Sequence, residues 1–265
     1  MFGISFLLII KQVLYENRYI YNSKKMNNFM DQLDELDVIL NEVANPETAK
    51  IHQGFFKTGE GQYGAGDVFL GIVVPEQRKI AKQFMDLGFD ELQKLLNSEV
   101  HEKRLVSLLI LVERYKGAGD EERQEILDFY LDNAKNINNW DLVDLSAPNI
   151  VGNYLLSVDN RDLIYDLAKS KNLWEKRIAI VSTFALIRDN QLEDTLRISE
   201  ILLNDSHDLI YKAVGWMLRE LGKRDRELLE DFLKKHYGQM PRTMLRYAIE
   251  KFEEGLRQDY LKGRV

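Results

Sequence analysis

The spacing of apolar residues constrains this chain most, because it repeats every three to four positions through nearly all of the sequence after Met26. That spacing puts apolar side chains on one face of a helix. No segment alternates apolar and polar residues between turn signals, as a half-buried strand would. The sequence therefore predicts an all-α protein. One example is the apolar stripe within 207–221, formed by Leu209, Ile210, Ala213, Val214, Met217 and Leu218.

The predicted helices are short and closely spaced, apart from one irregular segment. The first helix, marked by apolar residues from Phe29 to Leu40, is expected to stop at Asn45-Pro46. Residues 57–71 then hold five glycines. No strand pattern precedes them and no Gly-Lys-Ser/Thr ends them, so a flexible loop that approaches a ligand is favoured over a nucleotide P-loop. After Pro75, helices are predicted over 76–87, 90–97, 101–116, 120–134, 140–156, 160–170, 173–189, 192–203, 207–221, 225–236 and 242–257.

This succession of short helices and short breaks favours helix pairs stacked as a solenoid. Each pair would take about 35 residues, close to the length of HEAT-like units. We expect a right-handed α-solenoid of degenerate HEAT-like pairs over residues 26–265, forming a single domain, with a plain helical bundle as the alternative. In a solenoid the inner helices line a concave surface, so residues from several helices can face one ligand.

Residues 1–25 are expected to form an N-terminal extension. Their apolar run, Phe2 to Ile10, is far shorter than the roughly 20 residues of a membrane span. It has no positively charged segment before it and no Ala-x-Ala-like cleavage site after it. Two interpretations remain, an extra amphipathic helix or an upstream extension with Met26 as the true start, and the second is preferred.

Composition excludes several classes of site. The chain has no cysteine, which rules out disulfides and thiolate zinc sites and fits a reducing cytoplasm. The net charge of −7 argues against a non-specific polyanion binder. A local basic face remains possible, since residues 223–265 hold eleven Lys/Arg against eight Asp/Glu. No metal or cofactor is expected, because no pair with metal-ligand spacing occurs among His52, His101, His207 and His236.

The segment Asn138–Leu145 is the strongest candidate for a functional site. If it starts a helix, Trp140 and Asp144 share one face, and Asn138 or Asn139 caps the helix. Asp141 falls in the first turn, where a carboxylate complements the helix dipole, and is interpreted as structural. The plain alternatives are core or rim packing for Trp140 and a surface carboxylate for Asp144.

Cations on other helix faces are candidates for phosphate contacts. Trp216 lies off the apolar stripe of its helix, between Lys212 and Arg219. This pattern fits a stacking platform beside phosphate contacts, or alternatively a subunit contact. Arg177 could bind a phosphate with two hydrogen bonds or pair with a neighbouring acid. A second pair, Arg242 and Arg246, forms either a solvated face or further phosphate ligands.

Several of these segments together resemble the AlkD-type DNA alkylation-repair glycosylases, which are built of HEAT-like repeats. The resemblance runs in order from about residue 30 to about residue 260. Its Trp-Asp-x-Val-Asp and Gly-Trp-x-Leu-Arg-Glu parts are distinctive. The matching segments are Phe69-Leu70-Gly71-Ile72 with Pro75 and Arg78, Asn139-Trp140-Asp141-Leu142-Val143-Asp144, Leu173-Trp174 with Arg177, Lys212 to Glu220, and Pro241-Arg242 with Arg246.

The resemblance implies a monofunctional glycosylase that removes cationic N3- and N7-alkylated purines from double-stranded DNA without flipping the base out. It implies that Asp144 is catalytic and that Trp140 and Trp216 contact the damaged nucleotide. The protein is also expected to be a monomer in the bacterial cytosol or nucleoid. The sequence departs from the family at Val73, just after the Phe-Leu-Gly-Ile segment, where family members often carry a polar residue. The expected DNA contacts are Arg177, Lys212, Arg219, Arg242, Arg246 and Tyr63.

Glycoside hydrolysis usually takes two carboxyl groups, and the predicted site offers one good carboxylate, Asp144. One suffices if the leaving base is already cationic, because that base departs neutral and needs no proton. Asp144 would then stabilise the cationic sugar and orient water. Two other functions remain open from the sequence alone: a non-catalytic HEAT-like protein that binds damaged DNA, and a helical-repeat scaffold for another protein.

Overall fold

The computed structural model of the protein describes residues 31–265. The expected extension at 1–25 and Phe29 lie outside these residues. The helices are α1 (Gln32–Glu42), α2 (Pro46–Phe55), α3 (Val74–Ala81), α4 (Phe89–Leu96), α5 (His101–Gly117), α6 (Asp120–Asp132), α7 (Trp140–Ser146), α8 (Val151–Ser157), α9 (Asp162–Ala168), α10 (Leu173–Arg188), α11 (Glu193–Ile201), α12 (Asp208–Gly222), α13 (Arg226–His236), α14 (Arg242–Ala248) and α15 (Glu254–Lys262). No β-strand occurs in 31–265, where Val68 and Val100 form an isolated bridge, and this confirms the all-α prediction.

Helices two or three apart along the chain stack side by side, which is the layered packing of an α-solenoid. Helix α5 packs on α7, α7 on α10, α10 on α12, and α12 on α14. At Gly215 the last pair comes very close, because a Cβ there would lie 2.5 Å from both the Met244 carbonyl oxygen and the Tyr247 Cβ. One apolar core runs through the stack from Leu36 to Tyr260. No helix within 31–265 has the length and apolar character to cross a membrane.

The first helix ends at Glu42, before Asn45-Pro46 as expected, and the same two residues also begin α2, a helix that was not predicted. The Asn45 side chain accepts hydrogen bonds from the backbone N–H groups of Glu47 and Thr48, both at 3.0 Å. Proline fits the first turn of a helix, where its missing N–H is not needed. The same dipeptide therefore signals both a stop and a start.

Two predicted long helices are each divided into two. The span 140–156 breaks between α7 and α8 around Pro148, which has no N–H to continue the helical hydrogen bonds. The span 242–257 breaks between α14 and α15, where Ile249 and Phe252 turn into the core. Both side chains are buried although they lie in a turn, so apolar residues continue through the break at nearly helical spacing. For this reason the spacing alone did not reveal the break.

Candidate functional site

A cleft of about 530 Å³ opens where α2, the 57–71 loop, α7, α10, α12 and α14 face one another. Its lining combines aromatic rings, cations and two carboxylates. The lining residues are Phe55, Lys57, Tyr63, Trp140, Asp144, Arg177, His207, Asp208, Leu209, Lys212, Trp216, Arg219 and Tyr247.

Asp144 and Arg177 form a two-point ion pair in this cleft. The Nε of Arg177 donates to Oδ1 of Asp144 at 3.0 Å, and its Nη2 donates to Oδ2 at 2.8 Å. Nη1 of the same guanidinium donates to the Leu209 carbonyl at 2.6 Å, which ties α10 to the start of α12. The side chains are 18% and 5% exposed, respectively. The carboxylate is therefore fixed, with its remaining exposure toward the cleft that it lines.

The pair has opposing effects on the acidity of Asp144. Burial raises the pKa of its carboxyl, the Arg177 guanidinium lowers it, and the net pKa is above the ordinary aspartate value. The sequence left two roles open for Arg177, a phosphate contact or a pair with a neighbouring acid. In the structure it pairs with an acid, Asp144. Its guanidinium is nearly buried and engaged, so the expected phosphate contact is not available to it in this conformation.

Trp140 is held by aromatic neighbours and by one hydrogen bond. Asn139 caps α7 by accepting from the Trp140 backbone N–H at 2.8 Å. The indole lies against the Phe56 ring at 5.3 Å between centroids and 23° between planes, and Phe55 meets its edge at 5.8 Å. Its Nε1 donates to the Tyr63 hydroxyl at 3.1 Å, so the glycine-rich loop directly orients the indole.

A buried group of four charged side chains lies behind the start of α7. His101 sits between Asp67 (Nδ1 to Oδ2, 3.3 Å) and Asp141 (Nε2 to Oδ2, 2.7 Å). Arg104 lies 2.7 Å from the other oxygen of Asp67. Burial acts to lower the pKa of His101, but the hydrogen bonds to Asp141 and Asp67 outweigh it and raise the pKa to about 9. Asp141 thus joins the loop and α5 to α7, in keeping with the structural role assigned to it.

The Phe-Leu-Gly-Ile segment is explained by another buried carboxylate, Glu102. It accepts from the backbone N–H groups of Leu70 (3.0 Å), Gly71 (2.8 Å) and Ile72 (3.2 Å). Gly71 has φ of +80°, and a Cβ at that position would lie 2.2 Å from the Asn45 carbonyl oxygen. Glycine is therefore required where this segment crosses the start of α2.

The cations around Trp216 line the cleft but already have acid partners. Lys212 pairs with Asp208 at 2.6 Å, one turn earlier on α12. Arg219 pairs with Glu220 at 3.1 Å and also contacts Glu250. To meet phosphates, these two side chains would have to exchange a carboxylate for a phosphate oxygen.

Arg242 and Arg246, two of the expected DNA contacts, do not line this cleft. They line a second cleft on another side of α14. Tyr247, the residue after Arg246, occupies the place on α14 that faces Trp216 and Arg219. The other predicted site residues all line the first cleft, and they are Asp144, Trp140, Trp216, Arg177, Lys212, Arg219 and Tyr63.

Five lining residues were not identified from the sequence. The Phe55-Phe56-Lys57 run gave the clearest signal, since two aromatic rings directly precede the glycine-rich loop and Phe55 is exposed. The others gave none: His207 and Asp208 lie at the start of α12, and Tyr247 lies on the short helix α14. These residues are Phe55, Lys57, His207, Asp208 and Tyr247.

Comparisons with known proteins agree with this architecture. The structure is similar to that of a "Predicted DNA alkylation repair enzyme from Enterococcus faecalis", with a TM-score of 0.61 and 18% sequence identity, covering 80% of this chain and 97% of that one. At that identity the likeness shows the fold alone. No curated protein matches the chain. The family model described as DNA alkylation repair enzyme matches residues 37–252, well over half of the sequence. The chain therefore belongs to the DNA alkylation repair enzyme family.

Proposed function

We propose that the protein is a monofunctional DNA glycosylase that hydrolyses the N-glycosidic bond of cationic N3- and N7-alkylated purines in duplex DNA. It acts as a monomer in the bacterial cytosol, without a metal or cofactor, and leaves the base stacked. The observation that carries the proposal is the Asp144 carboxylate, which Arg177 fixes by two hydrogen bonds in a cleft that also contains both Trp140 and Trp216.

The substrate class follows from the number of carboxylates suited to the chemistry. Hydrolysis of a neutral glycoside needs an acid to protonate the leaving group as well as a second carboxylate. Asp208, the other carboxylate in this cleft, is 52% exposed and already paired with Lys212, so it is poorly placed to be a buried general acid. A base alkylated at N3 or N7 carries a positive charge and leaves neutral, so no acid is required.

Asp144 has the features needed to assist that departure. As the bond to the base lengthens, positive charge grows on the sugar, and a fixed carboxylate stabilises it. The Arg177 pair reduces the net charge, but it holds the side chain in one rotamer and opposes the rise in pKa that burial causes. The lone pairs that Arg177 leaves free can orient a water molecule toward C1′.

The two indoles supply the rest of the environment. Their faces can meet the cationic nucleotide, an interaction of about 0.5–2 kcal/mol each. Trp140 is fixed in advance by its hydrogen bond to Tyr63 and by the Phe56 ring, so little side-chain entropy is lost on binding. Lys212 and Arg219 then bind the flanking phosphates in exchange for their present acid partners.

The test is release of free 7-methylguanine from a duplex under single-turnover conditions. Asp144→Asn keeps the shape of the side chain and removes its charge, so the rate should fall about 100-fold or more. Asp208→Asn is the matched control, because it removes an equal charge from the same cleft, and its rate should change by less than about 5-fold. No release by the wild type, or equal losses in both variants, would contradict the proposal. The first result would favour a non-catalytic binder if the duplex still binds.

A further inference from the structure

His207 lines the first cleft, yet the chemistry proposed for that cleft gives it no role. Its ring caps α12, because Nδ1 accepts a hydrogen bond from the Leu209 backbone N–H at 3.2 Å. A backbone N–H can only donate, so Nδ1 carries no proton and the neutral ring carries its proton on Nε2. Within 31–265 no residue forms a hydrogen bond or ion pair with Nε2. His207 therefore has one N–H donor available to the cleft that it lines.

The His207 ring is uncharged at neutral pH. Burial lowers its pKa, and the cations of Lys176 and Arg177 act in the same direction. The carboxylates of Asp205 and Asp208 act against this, but the net pKa lies below the ordinary histidine value of 6.5. The donor is therefore a neutral N–H group, which adds no positive charge beside a cationic base.

Hydrogen bonds fix the position of the ring relative to the catalytic carboxylate. The Leu209 backbone N–H donates to His207, and the Leu209 carbonyl accepts from Nη1 of Arg177 at 2.6 Å. The same guanidinium holds Asp144 by two further hydrogen bonds. His207, Arg177 and Asp144 are thus connected through one residue, and all three line the same cleft. A nucleotide whose C1′ lies at Asp144 therefore shares that cleft with the His207 donor.

A departing purine has an acceptor that suits such a donor. N3 lies on the minor-groove edge of the base, beside the bond between N9 and C1′. When that bond breaks, its electron pair stays with the purine, and N3 gains negative charge because it is conjugated with N9 through C4. A hydrogen bond to N3 therefore becomes stronger in the transition state, which is the condition for an interaction to accelerate the reaction.

We propose that His207 is a further catalytic residue, which donates a hydrogen bond from Nε2 to N3 of the departing base and thereby selects among the lesions. No proton is transferred. The inference rests on the proposed glycosylase function. In 7-methylguanine N3 is free to accept, whereas in 3-methyladenine a methyl group occupies it. His207 therefore accelerates release of the first base and not of the second.

The experiment measures release of both bases in one reaction. DNA treated with a methylating agent carries both lesions, and the released bases are separated by chromatography under single-turnover conditions, with spontaneous release subtracted. In His207→Ser the hydroxyl can still cap α12 but is too short to replace Nε2. Release of 7-methylguanine should fall about 10- to 100-fold, less than for a donor to a full oxyanion because N3 receives only part of the charge. Release of 3-methyladenine should change by less than about 3-fold, since its N3 offers no acceptor.

Lys212→Gln is the control on the same helix, because loss of a phosphate contact should lower both releases by one factor and leave their ratio unchanged. His207→Asn carries another good cap residue and should show the same selective loss if the serine variant does not fold. An equal fall of both bases in His207→Ser, or an unchanged release of 7-methylguanine, would overturn the inference and leave the proposed function standing. Release of neither base by the wild type would refute the proposed function, and the inference with it.

Discussion

Replacing Arg177 by alanine tests whether this arginine holds the Asp144 carboxylate in place, a role that the structure shows and the sequence left open. The change removes two charge-assisted hydrogen bonds to the carboxylate and one to the Leu209 carbonyl. Because both partners are largely buried, the carboxylate left behind is uncompensated, and breaking a pair of this kind costs about 3–5 kcal/mol. Arg177→Ala should therefore lower the free energy of unfolding by an amount in that range.

Urea unfolding followed by circular dichroism at pH 7 measures this loss. Arg188→Ala is the control on the same helix, since Arg188 is exposed and lies 4.2 Å over the Phe184 ring, a contact of about 0.5–1 kcal/mol. The cycle with Asp144→Asn isolates the pair. Once the carboxylate is neutral, Arg177→Ala should cost about 1.5–3 kcal/mol less than it does in the wild type. A loss of unfolding free energy below about 1 kcal/mol, or a coupling free energy near zero, would contradict this role and favour a phosphate contact for Arg177.

The remaining predictions concern the buried supports of the cleft. Because the pKa of His101 is about 9 when folded and 6.5 in its ordinary state, its stabilising contribution is full below pH 6.5 and lost as pH rises through 9. The free energy of unfolding of the wild type, measured with urea, should decline by about 3 kcal/mol between pH 6 and 10, and His101→Gln should lack that decline. Equal declines in the two proteins would refute the raised pKa of His101. Gly71→Ala, with φ of +80° and a Cβ 2.2 Å from the Asn45 oxygen, should destabilise by more than about 2 kcal/mol. Gly117→Ala, which has open space, should be neutral or stabilising, and equal melting temperatures for the two variants would contradict this reasoning.

Much of the fold could be predicted because helical spacing is a local property. The stripe of α12 and the face shared by Trp140 and Asp144 depend on residues within a few turns of one another. Helix ends were harder, since Asn45-Pro46 satisfies the rules for both a stop and a start. Pro148, which the spacing argument passed over, was the available signal for the break between α7 and α8.

The partners of charged residues could not be predicted in the same way. Asp144 and Arg177 are 33 residues apart and meet only because α7 packs on α10. His101 was considered only for metal-ligand spacing, and its two carboxylates come from a loop and from another helix. The spacing of Arg242 and Arg246 places them together on α14 but does not say which neighbour they face. Tertiary packing decides each of these pairings, so the sequence identified the residues and not their contacts.

The central claim is that the fixed carboxylate of Asp144 assists loss of a cationic base, and the rate of 7-methylguanine release as a function of pH tests it most directly. A carboxylate must be ionised to act, so the wild-type rate should fall as pH falls through the pKa of Asp144, which burial places above the ordinary aspartate value. Asp144→Asn should be about 100-fold slower at neutral pH and should lack this acidic limb. A variant that keeps both the wild-type rate and the wild-type pH profile would contradict the account.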